Sequence, residues 1–179
     1  LLILFLALCL NISFAEDQIY TFKSKNTDFI GSVAKEKDGS KTISFVGIPF
    51  AKPPVDDLRW KAPRELDLMP DTFEAKTLPN RCMQVSNFYD SMDGIEGESI
   101  IGSEDCLYLN IYLSEKAYKS KKKLPVVFWI HGGGNTWGYS ASNIFTSGDF
   151  ILDHDVILVT TNYRLGPFGW FAYLSLIHI

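Results

Sequence analysis

Two short apolar runs constrain the fold of this 179-residue chain more than any other feature. Residues 124–130 read Leu-Pro-Val-Val-Phe-Trp-Ile, and residues 156–161 read Val-Ile-Leu-Val-Thr-Thr. Apolar and polar residues do not alternate in either run, which is typical of strands buried on both faces in a sheet that helices cover. The sequence therefore predicts an α/β fold.

Helices that could cover such a sheet are scarce in the sequence. Between residues 16 and 173 we find no amphipathic pattern of about twelve residues or more. The best candidate is a short helix over 147–153, with Ser147 as its N-cap, in the connection between the two apolar runs. We therefore expect the chain to be the front part of a larger α/β domain.

The segment before the first apolar run shows strand patterns and irregular stretches. Residues 29–34 and 41–46 are short strand patterns, and Asp38-Gly39 between them predicts an antiparallel hairpin. Residues 61–105 show no clean period and predict a long surface region, and 106–113 predicts another strand.

The two ends of the chain are expected to lie outside the fold. Residues 1–15 combine an apolar run with small residues ahead of Glu16, which predicts a secretory signal peptide cleaved after Ala15 rather than a membrane span. An apolar N-terminal strand is the alternative interpretation. Residues 174–179 read as a non-native tail, with an ordinary apolar strand or helix start as the alternative. The expected domain is therefore 16–173, in a secreted, extracellular protein.

The charge balance excludes some classes of partner. Seventeen basic and twenty-one acidic residues leave a net charge of −4, which is unsuited to binding nucleic acid. The three histidines show no metal-ligand spacing, so we expect no metal and no cofactor. His154, in Asp153-His154-Asp155, is expected to lie in a solvated turn.

A glycine-rich tetrapeptide follows the first apolar run directly. It reads His131-Gly132-Gly133-Gly134, and its amide N–H groups have no neighbouring side chains to cover them. Two such groups can hold a developing oxyanion, whereas a purely structural glycine turn is the alternative. A dinucleotide fingerprint is excluded because position 137 is Trp, and the sequence contains no P-loop.

Five sequence blocks carry a resemblance to a known family. They are Gly47 to Ala51 with Pro53-Pro54, Leu58-Arg59-Trp60, Ser103 to Asn110 (Ser-Glu-Asp-Cys-Leu-Tyr-Leu-Asn), Trp129 to Gly134, and Thr161 to Gly166. In order and approximate spacing they resemble the N-terminal part of the type-B carboxylesterases, the secreted α/β-hydrolases that include cholinesterases and neuroligins. The resemblance covers about residues 29–173. It implies a mixed, mostly parallel sheet with a small N-terminal antiparallel hairpin, truncated before the nucleophile elbow.

The resemblance also implies the chemistry of the glycine tetrapeptide. Gly133 and Gly134 would supply the two oxyanion N–H donors, and His131 and Gly132 would support the loop. The expected partner is a small-molecule ester. Cholinesterases carry a tryptophan that stacks on the choline cation in their first disulfide loop. Here the only aromatic residues between the second and third cysteines are Phe88 and Tyr89, which makes acetylcholine a poor candidate substrate.

Two covalent or ionic links are expected outside the tetrapeptide. Once the signal peptide takes Cys9 away, Cys82 and Cys106 remain, and an oxidising compartment favours a disulfide between them over two free buried thiols. The resemblance implies an ion pair between Arg59 and Glu104, which would be costly to break if it were buried.

The chain does not contain a catalytic triad. The nucleophile elbow G-x-S-x-G is absent, and the nearest string, Gly138-Tyr139-Ser140-Ala141-Ser142, ends in Ser and does not follow a strand. We therefore assign no nucleophile, acid or base and expect this chain alone to be inactive. Two hypotheses stay open for the full-length protein: a secreted serine carboxylesterase, or a catalytically inactive adhesion protein of the neuroligin type.

Overall fold

The computed structural model describes residues 19–36, 38–86, 99–120, 122–141 and 154–172. Its strands are β1 Tyr20–Ser24, β2 Thr27–Lys35, β3 Lys41–Pro49, β4 Thr72–Glu74, β5 Gln84–Val85, β6 Ile100–Ile101, β7 Tyr108–Ser114, β8 Val126–Ile130 and β9 Ile157–Thr161. Its α-helices are α1 Glu115–Ser120 and α2 Gly166–Trp170, and a 3₁₀ turn covers Asp56–Leu58.

Most of the strands form one mixed sheet. Its order is β1-β2-β3-β7-β9-β8, with β4 added beside β2. The β1–β2, β2–β3, β3–β7 and β7–β9 pairs are antiparallel, and the β8–β9 and β2–β4 pairs are parallel. The mixed sheet is as predicted, but its described part is not mostly parallel. The short connections between β1, β2 and β3 can join only antiparallel neighbours, whereas a parallel pair needs a long crossover.

The N-terminal hairpin is confirmed. Strands β2 and β3 pair antiparallel, and the turn between them contains Asp38 and Gly39. Gly39 has a φ of +89°, which favours glycine, and the Asp38 carboxylate accepts a hydrogen bond of 2.9 Å from the Ser40 backbone N–H. Local sequence chemistry is enough to specify this element.

The hydrophobic core divides into two clusters. The larger one fills the space between β1, β2, β3 and α1, and it includes the stacked rings of Phe22 and Phe29, whose centroids are 4.7 Å apart. The smaller one surrounds the two cysteines and contains Ala51, Cys82, Cys106, Leu107 and Leu165. The second cluster therefore joins the two cysteines to Leu165, which lies in the segment that follows β9.

The two apolar runs form neighbouring strands with different environments. In β9, Leu158 and Thr160 on one face are buried, whereas Ile157, Val159 and Thr161 on the other face are half-buried, so burial on both faces is only partly confirmed. In β8, Val126, Phe128 and Ile130 are 58%, 56% and 62% exposed, so burial on both faces is wrong for this strand. Strand β8 is the edge of the sheet and pairs only with β9 among the described strands. This exposure agrees with the scarcity of covering helices in the sequence.

Helix α1 is a local element that the sequence did not predict. It begins after Ser114, whose Oγ accepts a 3.1 Å hydrogen bond from the Ala117 N–H as an N-cap does. With six residues, α1 is too short for a periodicity test.

Several predictions lie outside the described residues. They are the signal peptide over 1–15, the helix over 147–153, the tail over 174–179, and the aromatic residues Phe88 and Tyr89. In the described part of the chain, no helix has the length and apolar character needed to cross a membrane.

Candidate active site

The glycine tetrapeptide lies at the carboxyl end of β8, where the chain turns away from the sheet. Gly133 has a φ of +121°, and a Cβ atom there would lie 1.9 Å from the carbonyl oxygen of Trp137. Gly134 and Asn135 follow with φ values of +59° and +61°. The backbone therefore folds back on itself tightly, and Gly133 is the position where only glycine fits.

The folded loop uses its carbonyl groups in hydrogen bonds. The Gly133 carbonyl accepts from the N–H groups of Thr136 and Trp137 at 3.1 and 3.3 Å, and the Asn135 carbonyl accepts from the Gly166 N–H at 2.7 Å. Within the described ranges, neither Gly133 N–H nor Gly134 N–H donates a hydrogen bond to another residue. Two consecutive backbone donors are thus left available on a loop that is otherwise held.

His131 is buried and holds the loop through ring stacking and hydrogen bonds. Its side chain is buried, its ring stacks on Tyr163 at 4.3 Å between centroids, and the Tyr163 hydroxyl donates to the His131 carbonyl at 2.9 Å. Nδ1 lies 2.8 Å from the Gly132 carbonyl, which can only accept, so Nδ1 carries the proton. Burial lowers the pKa of His131, although the bond to the Gly132 carbonyl opposes this shift. The imidazole is therefore neutral at pH 7, with Nε2 unprotonated.

Two buried asparagines hold the segment that follows the loop. Asn162 accepts from the Ser140 N–H at 3.0 Å and donates to the Asn80 carbonyl at 2.9 Å. Asn110 donates to the hydroxyls of Ser140 and Thr160, both at 3.1 Å. The sequence alone predicted no role for these asparagines. The available signal was that Asn110 ends one of the five sequence blocks and Asn162 lies within another.

Ser140 is fully buried between these partners. An attacking serine has to reach a substrate carbonyl, so this position is unsuited to a nucleophile. The Ser140 hydroxyl instead accepts a hydrogen bond from the Asn110 side chain. His154 is exposed in a turn, and the described residues contain no cluster of side chains that could hold a metal ion.

The expected disulfide is present in the structure. Cys82 and Cys106 are joined, with their Cα atoms 5.0 Å apart, and both residues are buried in the smaller core cluster. The bond connects the segment just before β5 to the segment just before β7.

The structure also brings Arg59 and Glu104 together. Arg59 Nε and Nη2 donate to the two Glu104 carboxylate oxygens at 2.6 and 2.5 Å, and these hydrogen bonds lower the pKa of Glu104. The Arg59 side chain is 38% exposed, so the large cost of breaking a buried pair does not apply here. Nearby, Arg164 has a buried Nη1 atom with no hydrogen-bond partner among the described residues.

Comparisons with known proteins agree with this architecture. A model of the carboxylesterase family matches residues 21–176. Juvenile hormone esterase from Tribolium castaneum is 40% identical over 157 residues, and the match covers 88% of this chain and 25% of that protein. An acetylcholinesterase from Leptinotarsa decemlineata is 33% identical over 205 residues, covering 98% of this chain and 32% of that protein.

The solved structures point to the same fold. A thermophilic PNB esterase has a TM-score of 0.72 and 31% identity, and it covers 88% of this chain and 30% of its own. The chain thus spans between about a quarter and a third of the length of these relatives. The described sheet is part of an α/β-hydrolase fold, and the chain belongs to the carboxylesterase family.

Proposed function

We propose that this chain is the N-terminal part of a secreted serine carboxylesterase that hydrolyses small-molecule carboxylic esters. The observation that carries the proposal is the pair of available N–H groups at Gly133 and Gly134, on a loop fixed at the end of β8. The curated relatives are three to four times as long as the match, so the serine, acid and histidine are proposed to lie in residues beyond this chain.

The loop is suited to oxyanion binding because both donor directions are fixed. A trans peptide unit is planar, so its C=O and N–H point in opposite directions. The carbonyl of Gly132 is held by His131 Nδ1, which fixes the N–H of Gly133 in the same peptide unit. The carbonyl of Gly133 is held by Thr136 and Trp137, which fixes the N–H of Gly134 in the next one.

These fixed donors would act in the acyl-transfer step. When a serine attacks the ester carbonyl, negative charge develops on the carbonyl oxygen, and the two N–H groups stabilise it without reorganising. One such donor typically contributes about 3 kcal/mol to the transition state. His131 does not serve as the base, because its unprotonated Nε2 atom, which would have to take up the proton, is buried away from solvent. It holds the loop instead.

The activity is tested with the full-length protein and p-nitrophenyl acetate. We expect hydrolysis, and we expect labelling of one serine by a fluorophosphonate probe. The 179-residue chain alone should do neither, because it has no nucleophile. A full-length sequence with no serine at the elbow, or a folded full-length protein that fails to hydrolyse the ester, would contradict the proposal. A substituted elbow followed by a membrane-spanning stretch would favour the adhesion alternative.

Secretion is tested separately. The protein is expressed in cultured eukaryotic cells with its own leader, and the medium is collected. We expect the secreted product to begin at Glu16. Retention inside the cell with residues 1–15 intact would show that this segment is not a cleaved signal.

A further inference from the structure

Gln84 connects the residues around the Cys82–Cys106 disulfide (the disulfide region) to the loop of residues 131–138 (the glycine loop). It does so through both the oxygen and the nitrogen of its side-chain amide. Its Oε1 accepts from the Gly138 N–H at 2.9 Å, and its Nε2 donates to the Gly138 carbonyl at 2.9 Å. Nε2 also donates to the Cys82 carbonyl at 3.0 Å, and the side chain is buried. The amide therefore pairs with Gly138 much as a neighbouring backbone peptide does in a strand, and it is tied to a residue of the disulfide.

Gly138 in turn packs directly against the base of the loop. Its φ is +132°, and a Cβ atom there would lie 2.0 Å from His131 Nδ1 and 2.6 Å from the Gly132 carbonyl oxygen. No side chain separates the Gly138 backbone from these two groups. A displacement of Gly138 toward the loop would therefore disturb the His131–Gly132 hydrogen bond, and this bond fixes the direction of the Gly133 N–H.

We propose that Gln84 is a positioning residue for the oxyanion hole, an inference that rests on the proposed esterase function. Gln84 does not touch the reacting atoms. It holds Gly138, which keeps His131 and the Gly132 carbonyl in place. Gln84 is itself held by its hydrogen bond to the carbonyl of Cys82, and the disulfide holds Cys82 in place. Without this link, the loop would keep its hydrogen bonds to Thr136 and Trp137 but would lose its fixed position relative to the disulfide region.

Two substitutions in the full-length protein remove different sets of the Gln84 hydrogen bonds. Gln84→Met keeps the length of the side chain and removes every hydrogen bond to Gly138. Gln84→Glu keeps the shape and an acceptor for the Gly138 N–H, but a carboxylate cannot donate to the Gly138 or Cys82 carbonyls. For both variants we expect kcat on p-nitrophenyl acetate to fall by about 10- to 100-fold, as expected for a displaced oxyanion donor, with KM within about twofold. Affinity for an aryl boronic acid, which forms a tetrahedral adduct with the serine, should fall in parallel with kcat.

The matched control is Tyr139→Phe. It removes the 2.7 Å hydrogen bond from the adjacent residue to the Pro79 carbonyl and leaves the Gln84–Gly138 pair intact. We expect this variant to lower the melting temperature while changing kcat by less than about twofold. Loss of stability without loss of kcat in both Gln84 variants would overturn the proposal.

A second readout does not depend on activity. Hydrogen exchange of the peptide covering 131–141, followed by mass spectrometry, reports how firmly the loop is held. We expect exchange to rise at least about tenfold in Gln84→Met and to be unchanged in Tyr139→Phe. If the wild type proves inactive, the esterase proposal fails, and this measurement still decides whether Gln84 holds the loop. Unchanged exchange in both Gln84 variants would refute the link.

Discussion

Replacing each of the three glycines after His131 by alanine should produce three different outcomes. At Gly133, a Cβ atom would lie 1.9 Å from the Trp137 carbonyl oxygen, at a φ of +121° that alanine rarely adopts. The loop has to shift, and both the Gly133 and Gly134 donors leave their fixed directions. Loss of even one donor costs about 3 kcal/mol in the transition state, so kcat should fall by at least about a hundredfold.

The neighbouring positions serve as controls because they lack this clash. A Cβ atom at Gly134 would meet nothing within 4 Å, and its φ of +59° costs alanine only about 1 kcal/mol. A Cβ atom at Gly132 also meets nothing within 4 Å, and its φ lies outside the left-handed region. We therefore expect kcat to change by less than about fivefold in Gly134→Ala and by less than about twofold in Gly132→Ala.

The assay uses the full-length protein and measures kcat and KM on p-nitrophenyl acetate, with thermal melting as a check on folding. In Gly133→Ala we expect kcat to fall while KM stays within about twofold, because oxyanion contacts form only in the transition state. Equal losses in all three variants would show that general crowding of the site, and not the direction of the donors, is being measured. Near wild-type activity in Gly133→Ala would refute the assignment of the donors.

Three further predictions concern stability. Replacing both Cys82 and Cys106 by alanine should lower the free energy of unfolding by about 3 kcal/mol in the chain-entropy model for a closed loop of 24 residues, measured by urea unfolding; a change below about 1 kcal/mol would contradict this. Because burial lowers the pKa of His131 in the folded state, the unfolded chain takes up the proton first, so stability should be full above about pH 6.5 and fall as the pH drops below it. Urea unfolding at several pH values should show this slope, which His131→Asn should reduce; an unchanged slope would contradict it. Replacing Arg59 by Met should lower the melting temperature modestly, and high salt should lower it less in this variant than in the wild type, since the Arg59–Glu104 pair is partly exposed; a large loss that salt does not affect would indicate a buried pair.

The elements that the sequence predicted correctly are those encoded by short stretches of chain. The β2–β3 hairpin follows from two strand patterns and the Asp38-Gly39 turn, and β8 and β9 follow from their β-branched runs. The sheet order could not be read in this way, because β7 lies between β3 and β9 through pairings of residues that are more than forty positions apart in the chain. The exposure of β8 could not be predicted from its apolar composition either. Burial depends on what packs against a strand, and not on the residues of the strand alone.

In the candidate site, too, the sequence predicted some residues and missed others. The tetrapeptide His131 to Gly134 was predicted because three consecutive glycines directly after an apolar strand indicate a special backbone conformation or a close approach to the backbone. Gln84 was missed, because a glutamine in a strand gives no indication of a partner 54 residues away. The usable signal was its position two residues after Cys82, in a segment that the disulfide fixes.

A loop made largely of glycine has few side chains with which to pack, and glycine loses more conformational freedom on folding than any other residue. Oxyanion stabilisation nevertheless requires donors that are fixed before the reaction begins. In this structure, side chains from other parts of the chain hold the loop in place. Buried side-chain amides from β5, from β7 and from the end of β9 bond to the backbone or side chains of residues 138–140, just beyond the glycines. Each of these amides is itself held by another part of the sheet or by the disulfide region, so the direction of two N–H groups depends on contacts assembled from distant parts of the chain. An isolated peptide with the sequence of residues 131–141 would therefore contain the donors but not their orientation.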